Sequence, residues 1–171
     1  KNRYWKPKPS SYASFARAVA ARYRDRVDRY LLWNEPNQKG WLQPQWQCDR
    51  RRRNCQAVSP HLYRSLVRAA RPAILGADHG SELVVGELAP VGDSPISDLT
   101  PMKPLIFMRE LGCVDSRYRS IRTGSCRGFK ALQANSFGYH PHPQKLAPDK
   151  VNPDPDEAQF ADLKRLFTAL D

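Results

Sequence analysis

Three runs of strand-forming residues, set among helix-like stretches, constrain the fold of this chain more than any other feature. Residues 27–33 combine β-branched, aromatic and leucine side chains, and the run stops before Pro36, which has no N–H for a sheet ladder. Residues 82–86 place Leu83, Val84 and Val85 in unbroken succession, the pattern of a strand covered on both faces, and lead into Glu87. Residues 132–139 are the third candidate and run into Tyr139, His140, Pro141 and His142. Helix signals alternate with these strands. Ser10 or Ser11 caps a stripe of Tyr12, Phe15, Val19 and Tyr23, and Ser59 and Pro60 open a second of Leu62, Tyr63, Leu66, Val67, Ala70 and Ile74. Pro101 begins a third helix through Leu105, Ile106, Met108 and Leu111, ended by Gly112, and Asp156 caps a last one through Phe160, Leu163, Leu166, Phe167 and Leu170. Strands and helices in this order predict an α/β fold with a parallel sheet, either an open doubly wound sheet or a (β/α)8 barrel.

Composition narrows the class. With 171 residues, 40% hydrophobic and 26% charged, the chain suits one soluble domain and is neither disordered nor fibrous in character. A formal net charge of +11 favours polyanions as non-specific neighbours. No stretch of about 18 apolar residues is present to cross a bilayer, so no membrane partner is expected. The basic, proline-rich start has no apolar signal core, which suggests a mature chain already free of any export signal. Cys48 with Cys55 and Cys113 with Cys126 form two local pairs in loops. Disulfides of an oxidising, secreted or extracytoplasmic compartment fit them best, each worth roughly 2 to 3 kcal/mol, and their spacing does not suit zinc. All three pairings stay open in the sequence, with the local one favoured. No glycine-rich dinucleotide turn or P-loop follows any strand, and no cofactor is expected.

In parallel α/β folds reactive groups collect at the carboxyl ends of strands. At the end of the first run stands Trp33-Asn34-Glu35-Pro36-Asn37. This string resembles the Asn-Glu-Pro signature that closes the fourth strand in clan A retaining glycoside hydrolases, and its form is most similar to the family 39 β-xylosidase group. Residues 10–171 follow that family's order of elements, although only the segment around Glu35 is specific. The resemblance implies a partial (β/α)8 barrel, roughly helix 3 through helix 6 with strands 4, 5 and 6. Residues 1–171 would then be one incomplete catalytic domain, with strands 1–3 and 7–8 outside the chain. It further implies Glu35 as general acid/base and Asn34 as donor to the sugar 2-hydroxyl. A retaining mechanism needs a second carboxylate about 5 to 5.5 Å away. In the family it ends strand seven, so the nucleophile is expected outside this chain, and the fragment alone is expected to be inactive. The expected partners are an oligosaccharide or polysaccharide substrate and the remaining barrel segments of the same parent protein.

Chemistry agrees with the assignment. Glycosidic cleavage needs a carboxylic acid still protonated near neutral pH, and partial burial against an aromatic such as Trp33 works in that direction. Trp41 and Trp46 suit stacking platforms for pyranose faces, or plugs of the barrel rim. The resemblance to clan A, whose members often place an aromatic hydroxyl or a His at the end of the sixth strand, implies that Tyr139 and His140 line the substrate site. His142, two residues on, could share a face with His140 as metal ligands do, but Pro141 interrupts the strand and no third ligand is apparent, so no metal is expected. Glu87 lines the cleft or holds a structural hydrogen bond. Two other readings compete: a carbohydrate-binding pseudoenzyme without the second carboxylate, and a basic nucleic-acid-binding domain built on the four arginines of residues 50–53. No nucleic-acid motif accompanies those arginines, so no specific nucleic-acid partner is expected.

Overall fold

The computed structural model describes residues 4–51, 54–121, 132–142 and 145–170. Along the chain these form α1 (Pro9–Tyr23), β1 (Arg29–Leu31), β2 (Trp46–Cys48), β3 (Cys55–Ala57), α2 (Ser59–Ala77), β4 (Glu82–Leu88), α3 (Pro104–Gly112), β5 (Ser136–Tyr139) and α4 (Leu163–Leu170). The fold is mixed α/β. Its sheet is parallel, as the alternation of elements predicts, with order β1-β4-β5. β4 is central and almost wholly buried, which explains its unbroken apolar run.

Tyr63, from α2, joins the layers. It is fully buried, donates its hydroxyl proton to the Leu32 carbonyl at 2.8 Å, and accepts from the Gly86 amide at 2.8 Å. Burial pushes this hydroxyl's pKa far up, so it stays a donor at any ordinary pH. Leu32, Leu66, Leu83, Phe107 and Leu111 complete the core around it. Arg64, one residue on, turns the other way and donates to the carbonyls of Glu110 and Leu111 at the end of α3.

Several local expectations are corrected. The first strand keeps only Arg29–Leu31 of residues 27–33, and β5 only Ser136–Tyr139 of residues 132–139. Helix α1 starts at Pro9 after Lys8, with no side-chain cap from Ser10 or Ser11. Its buried face is Ala16 and Ala20, small residues that let it lie close along α2, while Phe15 is 65% exposed and Tyr23 also faces solvent. Ser59 opens α2 without capping it; its hydroxyl instead donates to Gln45 Oε1 at 2.9 Å. Helix α3 begins at Pro104, since residues 101–103 stay irregular. Asp156 is not the last helix's cap: it accepts from Arg109 at 2.7 Å, and Gln159 with Asp162 forms the capping box of a short 3-10 turn before α4. The first cysteine loop contains the antiparallel β2–β3 hairpin, closed by a Cys48–Cys55 disulfide. Cys126 lies outside the described residues. Among the described residues, no helix is long and apolar enough to cross a membrane.

Candidate active site

The carboxyl ends of the three parallel strands bring Glu35, Glu87 and His140 together. β4 makes this possible through an irregularity. Its register with β5 shifts between Gly86 and Leu88, so Glu87 is the extra residue of a bulge. Gly86 has φ 101° and Glu87 φ 49°, and a side chain at position 86 would run into the Phe137 ring. The bulge turns the Glu87 side chain across β5, where Gly138 leaves room: a Cβ there would fall 1.6 Å from Glu87 Oε1. The Gly86–Glu87 pair thus aims a carboxylate that a regular strand would point elsewhere.

The loop after β1 supplies Glu35. Trp33 and Glu35 also adopt positive φ, 73° and 38°, a conformation that costs side-chain-bearing residues of order 1 kcal/mol or more each. Surrounding bonds impose it. The Glu35 amide donates to the Glu87 carbonyl at 2.9 Å, and the Gln38 amide donates to the Glu35 carbonyl at 2.8 Å. Asn37, fully buried, donates to the Ala89 and Met102 carbonyls at 3.0 Å and accepts from the Ala89 amide at 2.9 Å. Gln45, equally buried, donates to the Pro36 and Leu42 carbonyls at 3.0 and 2.7 Å. Asn37 clamps the loop to the residue after β4 and Gln45 ties the loop together, tasks that no sequence pattern had marked for them.

His140 lies between the two carboxylates, its Nδ1 3.0 Å from Glu35 Oε1 and its Nε2 2.8 Å from Glu87 Oε2. Side-chain exposure grades outward: 8% for Glu87, 18% for Glu35 and 30% for His140. Burial lowers the imidazole's affinity for a second proton, but the hydrogen bonds to Glu35 and Glu87 outweigh it, and His140 titrates above its ordinary value. Glu35 Oε2 also accepts from the Trp41 indole at 3.2 Å, and the Trp33 indole donates to the Trp41 carbonyl at 3.1 Å.

Beside this cluster lies a groove of about 580 Å³ whose lining includes Tyr4, Tyr12, Phe15, Trp33, Asn34 and Trp41. Trp41 is 42% exposed there, and Tyr12 stands edge-on to Trp33 with ring centroids 5.1 Å apart. The amide of Asn34 has no partner among the described residues and is free to meet a ligand.

Other expected site residues lie elsewhere. Trp46 is buried and donates its indole proton to the Thr100 carbonyl at 3.1 Å, so it is a core residue and not a stacking surface. The Tyr139 hydroxyl donates to the Ala158 carbonyl at 2.7 Å, a structural tie that occupies it. Glu87 is bonded to His140 and does not line the groove. His142 is exposed, with its ring 6.2 Å from that of His140. Among the described residues, no His, Cys, Asp and Glu group has the arrangement to hold a metal ion. Sequence reasoning missed Gly138; Gly86 was the available signal, since glycine inside an apolar strand often marks a bulge. No known protein family, curated protein or solved structure matches this chain.

Proposed function

We propose that this chain is the central part of a (β/α)8 glycoside hydrolase of the retaining type, with Glu35 as general acid/base and the nucleophile outside these residues. The observation that carries this reading is the Glu35 carboxylate at the carboxyl end of a parallel strand. It is partly exposed beside an aromatic groove and held by hydrogen bonds from both sides. Parallel sheets concentrate their chemistry at this end.

In the reaction, Glu35 protonates the glycosidic oxygen as the bond breaks and later deprotonates the incoming water. Asn34, with its unengaged amide, donates to the sugar 2-hydroxyl as the ring gains oxocarbenium character. Trp41 and Trp33 offer flat apolar surface to the C–H face of a sugar. Glu87, the other carboxylate of the cluster, is turned inward onto His140 and buried, which leaves the nucleophile to another segment of the parent protein. Secretion suits the Cys48–Cys55 disulfide.

The test is Glu35→Gln in the full-length protein. Hydrolysis of glycosides with poor leaving groups is expected to fall about 100-fold or more, and that of activated aryl glycosides far less, because activated leaving groups need little proton donation. Equal rates for variant and parent on a natural glycoside would remove Glu35 from the role.

A further inference from the structure

The cluster holds a buried carboxylate that the proposed reaction does not use. Glu87 touches no part of the groove, yet it has a bulge to aim it, a glycine to make room for it and a single imidazole to receive it. We infer that Glu87 is a positioning residue that governs Glu35 through His140, fixing the imidazole so that Glu35 and His140 share one proton along the Nδ1–Oε1 contact. This rests on the reading of Glu35 as the acid/base.

The argument follows from donor and acceptor count. A carboxylate as buried as Glu87 needs a donor, and the Nε2 hydrogen of His140 is the one its Oε2 contacts. When His140 is neutral, its one N–H therefore stays on Nε2, and Nδ1 presents a lone pair to Glu35 Oε1. An ionised Glu35 would face that lone pair unfavourably, whereas a protonated Glu35 donates to it. When the proton sits on Nδ1 instead, the imidazolium bridges two carboxylates. One proton thus moves between two sites: it leaves Nδ1, bonds to Oε1, and the electron pair remains on the ring nitrogen. Neutral Glu35 is the form that can protonate a leaving group.

Among the described residues, the ionisable groups facing His140 are Glu35 from the loop after β1, Glu87 from β4 and His142 from its own loop. Tyr63 from α2 stands behind Glu87 and is neutral. Glu87 is thus the fixed charge that sets how long the pair keeps its shared proton as pH rises. In such a coupled pair the last proton belongs to both groups.

Nitrogen-15 NMR of the His140 ring in the full-length protein, without substrate, gives the first readout. The neutral imidazole is expected to carry its hydrogen on Nε2; a hydrogen on Nδ1 would overturn the inference with no variant needed. Glu87→Gln keeps shape and an acceptor but removes the charge, and the His140 titration midpoint is expected to fall by about 1 pH unit. An unchanged midpoint would overturn the inference. For hydrolysis, the alkaline limb of the pH–rate profile is expected to move down with the midpoint; a shifted midpoint with an unmoved limb would leave His140 paired to Glu87 but sever both from Glu35's work. A protein that cleaves no glycoside, yet shows the expected His140 titration and tautomer, would defeat the hydrolase reading alone.

Discussion

Two buried carboxylates, Glu87 and Glu157, are satisfied in opposite ways. Glu157 is 2% exposed and lies in the loop before the 3-10 turn. It accepts from the Gly92 amide at 3.1 Å, from Lys145 at 2.8 Å and from the Asn152 side chain at 2.8 Å. Asp162 alongside accepts from the Asn152 and Gln159 amides, and Arg165 donates to the carbonyls of Asn152, Asp154 and Glu157. The donors in that knot are amides, an ammonium and a guanidinium, and none is an imidazole. Glu87 has an imidazole, the one side chain whose ordinary titration falls between pH 5 and 8. The first arrangement fixes loops to one another, and the second leaves a proton free to move. Burial alone does not mark a working carboxylate; the lability of its donor does.

The contrast can be broken from either side, and the largest effect is expected in the knot. Glu157→Ala strips partners from a buried amide and a buried asparagine at once, so a loss of about 3 kcal/mol in urea unfolding is expected, with the His140 titration unmoved. A loss under about 1 kcal/mol would mean that water replaces the carboxylate and that the knot is not structural.

Gly138→Ala attacks the other region. Its methyl group occupies the place of Glu87 Oε1, and the carboxylate is expected to swing off His140. The expected stability loss is smaller, about 1 to 2 kcal/mol, whereas the His140 midpoint is expected to drop toward its ordinary value near 6.5. A variant that keeps the parent's midpoint would show that Glu87 has another way to reach the ring.

The smallest effect is in the pH dependence of stability. His140 titrates higher when folded, so its contribution is complete below its unfolded value and is lost as pH rises through the folded one. Asp154 is the reverse case. Burial opposes its ionisation, but hydrogen bonds from Lys103 and from the Asp156 amide outweigh that, so its contribution is present above the ordinary carboxylate range and fades as pH falls through the depressed value. Urea midpoints followed across both ranges are expected to decline at each end, and His140→Gln is expected to abolish the alkaline decline alone.

Much of this was legible in the sequence. The apolar runs, the prolines and the alternation of patterns point to the parallel sheet, because each is a local consequence of burial or of a missing N–H. Glu35, Asn34 and His140 are legible as strand-end groups for the same reason. What escaped depends on distant neighbours. Trp46 in a loop offers no sign that Thr100 waits to bury its indole, and Phe15 fits a helical stripe as well as Ala16 does, although only the smaller side chain lets α1 approach α2. Asn37 and Gln45 are ordinary loop residues until the carbonyls of Ala89, Met102 and Pro36 come within reach. Ser59 and Asp156 do not cap their helices because each found a tertiary partner, Gln45 and Arg109, that outcompeted the capping role.

The extra residue in β4 also bears on how such a site could arise or be lost. Deleting that one codon would let Leu88 follow Gly86 directly while keeping its pairing with Tyr139, restoring an ordinary ladder that no longer carries the carboxylate. The hydrophobic interior would need little else to change, so a lineage could shed the chemistry and keep the scaffold in one mutational event.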